Sequence, residues 1–528
     1  MKKLAFVIIG AFMALSLSAQ YKYYVYLKDK NGVEFNPTEY FHPKALERRT
    51  RCGVAINQTD FPVSEAYKNT VLTKADSCTA TSRWLNMITI WGNENLATEL
   101  LELEFVKSVN KAPMNAVITM ATQKADDISQ EAADRYATFQ LERMNGFAFH
   151  DAGYTGKGIR IAVLDAGFSG FDGHDGLEHL NIEANYDFVR KESFVYDYSS
   201  HGTGVTGCIG GRMGDDVFTG LAYEATYLLA RTEKSKTEKF SEEEFWLEAA
   251  EWADKNGADL INSSLGYTKP RYFIEQMDGK TTLVSKAAQM AFAKGIVVVT
   301  SAGNEGDGDW KYIGSPADAD SVLAIGGIDA YKDYKIDFSS YGPNSRGLLK
   351  PNVSALGTAV SARSDGGFGK MSGTSFSSPL VAGFVACYMQ ANPDKTQQDV
   401  FEAIQQCGHL YPYYDYVHGY GIPVAWKALG NENAWPEGNA ELVTNDGDLV
   451  LEVDFKYFAE TLNNDSTELA KKNIYLHAVN EEGKLLYYSV LHISNPAEVL
   501  IELDDDRLEG AAIIRVHFEG KTLEYNLR

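Results

Sequence analysis

The 528-residue chain is short of cysteine, of positive charge and of long apolar runs, and each shortage narrows what it can be. Five cysteines occur (Cys52, Cys78, Cys208, Cys387 and Cys407), none in a C-x-x-C pair, so neither a zinc site nor a dithiol redox motif is supported. The odd count leaves at least one thiol unpaired. A Cys52–Cys78 bridge stays open for an oxidising compartment, whereas Cys208 and Cys387 read as small buried hydrophobes in helices. Lys and Arg number 49 against 72 Asp and Glu, a net charge of −23, which argues against a nucleic-acid partner because phosphate neutralisation needs basic patches. After the N-terminus no apolar run reaches about 18 residues, so no membrane span is expected. There is no internal repeat and no low-complexity tract. Hydrophobic residues make up 45% of the chain, enough for large cores, so it does not read as disordered.

The N-terminus itself is informative. Met1-Lys2-Lys3 is followed by an apolar stretch from Leu4 to Leu15 and by Leu17-Ser18-Ala19, which together read as a secretory signal peptide over residues 1–19. No cysteine lies near the cleavage point, so a lipid anchor is not expected. The mature chain is expected to be secreted or periplasmic, from a source that is bacterial in the style of its export signal.

Residues 20–120 form a first small α/β unit. Tyr21–Leu27, Arg83–Asn86 and Phe105–Val109 are strand-like around a helical stretch near Asn95–Glu102, and a basic cluster stands at Arg48, Arg49 and Arg51. Residues 121–135 are a polar linker. From 136 to 430, buried strands (Ile159–Leu164, Gly295–Ser301, Val322–Ile328) alternate with amphipathic helices, the pattern of a doubly wound parallel sheet with its site at the carboxyl ends of the strands. Ser241–Glu244 reads as a capping box opening one of those helices. From 437 to 528 the period changes to short alternating runs. Leu449, Leu451, Val453 and Phe455 share one face and Ile474, Leu476 and Ala478 another, with a hairpin turn at Glu481-Glu482-Gly483, which predicts a β-sandwich.

Four motifs lie in order inside the central region: Val163-Leu164-Asp165, His201-Gly202-Thr203, Ser301-Ala302-Gly303-Asn304 and Gly373-Thr374-Ser375-Phe376-Ser377-Ser378-Pro379. A serine hydroxyl is a weak nucleophile and needs a base to take its proton. His201 titrates in the right range to be that base and to return the proton to a leaving amine. Asp165 would hold the imidazole in the productive tautomer and stabilise its cation. Phe376, Leu380, Phe384 and Tyr388 recur every four residues, marking a buried helix that places Ser375 at its positive end. Gly202, Gly204 and Gly207 leave room for close approach of a neighbouring element.

The order Asp, His, Ser and these four blocks resemble the subtilisin-like serine proteases (subtilases), over roughly 300 residues. The resemblance implies an endopeptidase that hydrolyses peptide bonds without a cofactor, with Asn304 donating to the oxyanion beside the Ser375 N–H. It implies that residues 20–120 are a propeptide, which chaperones and inhibits the enzyme until cleaved, and that Gly419–Pro423 close the catalytic domain. It also implies that Ser263, Ser264, Leu265 and Gly266 pair with a substrate bound as an extended strand. Ser301, Ala302 and Gly303 would wall the primary specificity pocket and Gly314 would lie at its base, leaving space for a bulky apolar side chain. Gly204 stands where the family frequently has a second histidine. Structural calcium is common in the family. Asp172, Asp175 and Glu178 form one candidate cluster and Asp307 and Asp309 another, but neither has the spacing of a defined calcium loop, and solvated acids are the plainer reading. Two other readings conflict with the motifs. An inactive binding protein of the same fold conflicts with the complete set of motifs. An α/β-hydrolase esterase conflicts with the order and with the missing second glycine of G-x-S-x-G.

Overall fold

The computed structural model describes residues 20–112, 126–234, 241–431, 440–445, 448–453, 472–493, 498–503 and 506–527. The signal peptide expected over 1–19, residues 121–125 of the expected linker and Phe455 lie outside the described residues. Two compact units are present, one drawn from residues 1–35 and 57–114 and the other from 36–56 and 115–528.

The first unit is a four-stranded antiparallel sheet. Strand β1 (Tyr21–Leu27) buries Tyr23, Val25 and Leu27, the alternation of a half-covered strand. The chain then leaves this unit over residues 36–56, which carry α1 (Pro43–Arg51), and returns with α2 (Glu65–Leu72), β2 (Ser77–Ser82), β3 (Met87–Gly92), α3 (Leu96–Leu101) and β4 (Val106–Lys111). The strand order is β2-β3-β1-β4, and Leu96 and Leu100, four residues apart on α3, close the core against Ile88, Ile90 and Val106. Arg83–Asn86 are not a strand. They are the turn joining β2 to β3, where Asn86 takes a φ of 48° and its amide donates to Asp29 O at 2.7 Å, a conformation that asparagine tolerates and most residues do not.

The second unit is built on a seven-stranded sheet: β5 (Arg160–Asp165), β6 (Asn181–Asp187), β7 (Thr226–Arg231), β8 (Leu260–Ser263), β9 (Val297–Ser301), β10 (Val322–Ile328) and β11 (Val353–Leu356). Every pairing in it is parallel, in the order β11-β10-β9-β8-β5-β7-β6. The α/β class expected from the alternating pattern therefore holds. β5 and β8 are neighbours, yet the chain leaves β5 toward one edge and β8 toward the other. Their carboxyl ends thus frame the kind of crevice where doubly wound sheets place their sites.

Helices α4 (Gln130–Glu142), α5 (His201–Gly210), α6 (Ser241–Lys255), α7 (Leu283–Ala293) and α8 (Thr374–Ala391) accompany the sheet. α8 is buried along nearly its whole length, with Phe376, Leu380, Phe384 and Val385 in the main core beside Cys208 of α5 and its own Cys387. All five cysteines are free. Ser241 lies inside α6 rather than capping it. Glu242 and Glu243 are buried, accepting at 2.7 Å from Arg271 and from the Tyr272 hydroxyl respectively.

β12 (Thr358–Ala362) and β13 (Phe368–Ser372) form a hairpin leading to α8. Past residue 440, β14 (Ala440–Asn445), β15 (Asp448–Val453) and β18 (Glu498–Ile501) make one antiparallel sheet. β16 (Lys472–Val479), β17 (Leu485–Ile493), β19 (Ile513–Phe518) and β20 (Lys521–Asn526) make a second, in the order β17-β16-β19-β20. Leu449, Leu451 and Ile501 of the first sheet share a core with Ile474, Leu476, Ala478, Ile514 and Phe518 of the second, which is the expected sandwich.

Candidate active site

Asp165 is the last residue of β5 and is fully buried. Its carboxylate oxygens lie 2.9 and 3.0 Å from His201 Nδ1, so that nitrogen carries the proton and donates it. The Ala166 N–H donates to Asp165 Oδ1 at 2.7 Å and fixes the carboxylate. His201 opens α5, with its backbone N–H donating to Ser199 Oγ at 3.2 Å. The glycines behind it do what their lack of side chains suggested. A Cβ on Gly202 would lie 2.5 Å from Gly167 O, and one on Gly207 2.3 Å from Ser361 Oγ. Burial favours the neutral ring of His201, but the charge of Asp165 and its hydrogen bond outweigh that and raise the pKa above the ordinary histidine value.

Ser375 is the second residue of α8, 8% exposed. The residue before the helix, Gly373, has a φ of 143°, a region that side chains avoid, so the sharp entry from β13 into α8 depends on glycine there. Ser375 Oγ donates to Ser264 O at 3.2 Å, and Ser264 Oγ donates back to Ser375 O at 2.8 Å. This reciprocal pair ties the end of β8 to the start of α8. In this resting arrangement the Ser375 hydroxyl is bonded to Ser264 and not to His201. The Phe376 ring stands 5.5 Å from the imidazole.

Asn304 follows β9 and is exposed, with its carbonyl held: Oδ1 accepts from Thr374 N and from Thr374 Oγ1, each at 2.9 Å. A backbone N–H can only donate, so the atom facing it is the oxygen, and the amide hydrogens of Asn304 point elsewhere as free donors. Thr374 Oγ1 also accepts from Gly303 N at 3.2 Å. Sequence reasoning passed over Thr374. Its one signal was its place directly before Ser375 at the helix start.

The residues expected to contact substrate divide by environment. Gly266 is exposed and Gly303 half-buried, whereas Ser264, Leu265, Ser301 and Ala302 are buried, so the side chains at those four positions are withdrawn from solvent. The Ser263 hydroxyl turns into the core and accepts from Trp246 Nε1 at 2.9 Å, which removes its side chain from any role in the cleft. A Cβ on Gly314 would stand 2.9 Å from Thr268 Cγ2, placing Thr268 beside the expected pocket base as well. Among the described residues no three His, Cys, Asp or Glu side chains are gathered as a metal site, and Asp309 is instead exposed and 3.8 Å from Lys269.

Comparison with known proteins places the chain in a family. The profile of the subtilase family matches residues 156–421, and that of the peptidase S8 propeptide domain of Bacteroidota matches residues 22–134. Subtilisin NAT of Bacillus subtilis subsp. natto is 30% identical over 317 residues, covering 59% of this chain and 74% of that protein. Subtilisin DY of Bacillus licheniformis is 32% identical over 250 residues, 47% of this chain and 82% of the relative. Among solved structures, the epidermin leader peptide processing serine protease of Staphylococcus aureus superposes with a TM-score of 0.55 at 19% identity. That match covers 80% of this chain and 100% of the other, a likeness of fold.

Proposed function

The chain belongs to the subtilase family of serine peptidases, hydrolases acting on peptide bonds and here carrying an S8 propeptide domain, and from that premise we propose an exported endopeptidase made as a precursor. In this reading Asp165, His201 and Ser375 are the catalytic triad and Asn304 is the side-chain donor of the oxyanion hole. Residues 1–19 direct export, and residues 20–120 are a propeptide cut from the peptidase domain before α4. The observation that carries it is the fixed Asp165–His201 pair at a strand end beside a serine on the first turn of a buried helix.

As a peptide bond enters the cleft, Ser375 Oγ exchanges its bond to Ser264 O for one to His201 Nε2. Apo active sites are often loose in this way. His201 takes the hydroxyl proton as Oγ attacks the scissile carbonyl, and Asp165 stabilises the imidazolium. The oxyanion receives hydrogen bonds from Asn304 Nδ2 and the Ser375 N–H, which sits at the positive end of α8 and lacks an intrahelical partner. His201 then protonates the leaving amine, and water repeats the sequence on the acyl-enzyme. The substrate lies extended along Ser264–Gly266. The steps draw on side chains and backbone groups of this chain, with water as the second nucleophile.

The test compares the chain without residues 1–19 as wild type and as Ser375→Ala. Wild type alone is expected to label with a fluorophosphonate and to lose about 90–115 N-terminal residues by intact mass, the span that a propeptide boundary near residues 120–135 implies. Labelling of neither protein would overturn the reading and favour a non-catalytic binding protein of the same fold.

A further inference from the structure

The arginine cluster seen in the sequence has no part in the chemistry above, yet it is among the most buried ionic groups in the chain. Arg48 is 0% exposed and Arg49 2%. Both lie on α1, within residues 36–56, a segment that packs with the second unit although the chain on either side of it belongs to the first.

What buries them is the pair of helix ends at α6 and α7. Arg48 Nε donates to Lys294 O, just past the end of α7, at 3.2 Å. Its two other nitrogens donate to Ala258 O, just past the end of α6, and to the Asp254 carboxylate. The guanidinium therefore fills the notch between two helix C-termini, where unsatisfied carbonyls and the negative ends of two helix dipoles converge. Arg49 adds a two-pronged contact to Asp254 at 2.8 and 3.0 Å, and Arg51 reaches Asp259 at 2.9 Å. The His42 N–H donates to Lys255 O at 2.9 Å.

The glycines that end these helices are fitted to the same segment. Gly257 and Gly295 have φ of 78° and 89°. A Cβ on Gly257 would stand 2.8 Å from Lys44 Cβ, and one on Gly295 3.1 Å from Cys52 Cβ. Each glycine thus both turns its helix into the next strand and leaves room for α1.

We propose that residues 36–56 are an arginine latch, in which Arg48 docks into the notch between the C-terminal ends of α6 and α7 and holds the N-terminal segment on the peptidase domain. The notch lies at the amino ends of β8 and β9, which follow these helices, whereas Asp165, Ser264 and Asn304 stand at the carboxyl ends of their strands. The latch is therefore independent of the cleft and of the bond cut during maturation. Resting on the precursor reading above, it follows that cleavage before α4 does not free the propeptide, and that release requires the notch to be vacated.

Hydrogen exchange on the full chain carrying Ser375→Ala tests the latch without relying on catalysis. Adding Arg48→Met leaves Asp254 short of a buried cation. It is expected to speed exchange at the amides of residues 42–53, 254–259 and 292–297 by at least about 100-fold while leaving β5 and α8 unchanged. Arg51→Met removes only the outer arm and should shift the same amides by a smaller factor, so it serves if the first variant does not fold. Unchanged exchange at these amides in either soluble variant overturns the latch. In the active chain, the processed N-terminal fragment should co-elute with the peptidase domain and be lost from it in Arg48→Met. Absence of processing in the active chain would count against the protease reading alone, because the exchange result stands without it.

Discussion

At the scale of single residues the decisive group is His201, whose pKa is set by burial opposed by the anion of Asp165, with a net rise above about 6.5. A base must be neutral to take a proton, so kcat/KM is expected to rise with pH through an inflection above about 6.5 and then to level. Asp165→Asn removes the charge that lifts the pKa and loses the acceptor that fixes the tautomer. The inflection should move toward acid while turnover falls by about four orders of magnitude. A pH–rate profile of both proteins checks this, and an inflection that stays in place in Asp165→Asn would show that Asp165 does not set it. The pairing itself was legible from order and context, because few other chemistries need an aspartate, a histidine and a serine in those settings. The bond between Ser375 and Ser264 was not legible, since a hydroxyl's resting partner depends on which carbonyl the fold brings within reach.

At the scale of elements the site is a junction between the loop after β9 and the first turn of α8, and Thr374 is the piece that joins them. Its N–H and hydroxyl both bond Asn304 Oδ1 at 2.9 Å, which makes it a positioning residue. Thr374→Val keeps the backbone donor and loses the hydroxyl, so kcat should fall about five- to tenfold, the worth of one hydrogen bond, with little change in KM. Asn304→Leu should cost about a hundred- to thousandfold, the range known for the equivalent donor in subtilisin. In the Asn304→Leu background, adding Thr374→Val should change almost nothing, because the group it positions is gone. A full second loss there would mean that Thr374 acts on its own account. Elements were legible where periodicity was strong, as along α8 with its apolar residues every four positions. They were misread where a local partner overrode propensity: Arg83–Asn86 became a turn through the asparagine's tolerated φ and its bond to Asp29 O.

At the scale of the whole molecule the alternation of β16 explains what the C-terminal sandwich does for the peptidase domain. Ile474, Leu476 and Ala478 fill the sandwich core, while the other face bonds the peptidase domain. Asn473 Nδ2 donates to Lys332 O and Asp333 O at 3.0 Å, Tyr475 OH donates to Asp333 O at 2.8 Å, and His477 Nδ1 stands 2.7 Å from Tyr414 O. A period-2 run announces two faces, but only the fold shows that the second meets another domain instead of water. His477 is buried, with Nδ1 against the backbone N–H and O of Tyr414 and its other nitrogen facing Arg515 at 3.5 Å. Burial, helped by the Arg515 cation, pushes its pKa down to about 4 against the opposing hydrogen bond to the Tyr414 backbone and the weaker pull of Asp415 and Glu524. Nearby His517 is pushed down to about 3 by burial and by Lys427. A depressed histidine pKa means the unfolded or undocked state binds more protons. The stability it contributes is therefore complete above about pH 6.5 and is lost as pH falls toward 4, at a cost of up to about 3 kcal/mol for His477. On the Ser375→Ala chain, Tm should fall as pH drops below about 6.5, and His477→Gln, which cannot take up that proton, should lower the neutral-pH Tm and flatten that acid slope. An acid slope as steep in His477→Gln as in its parent would place the proton uptake elsewhere, while a shallower one would identify the seam between sandwich and peptidase domain as the part that acid opens.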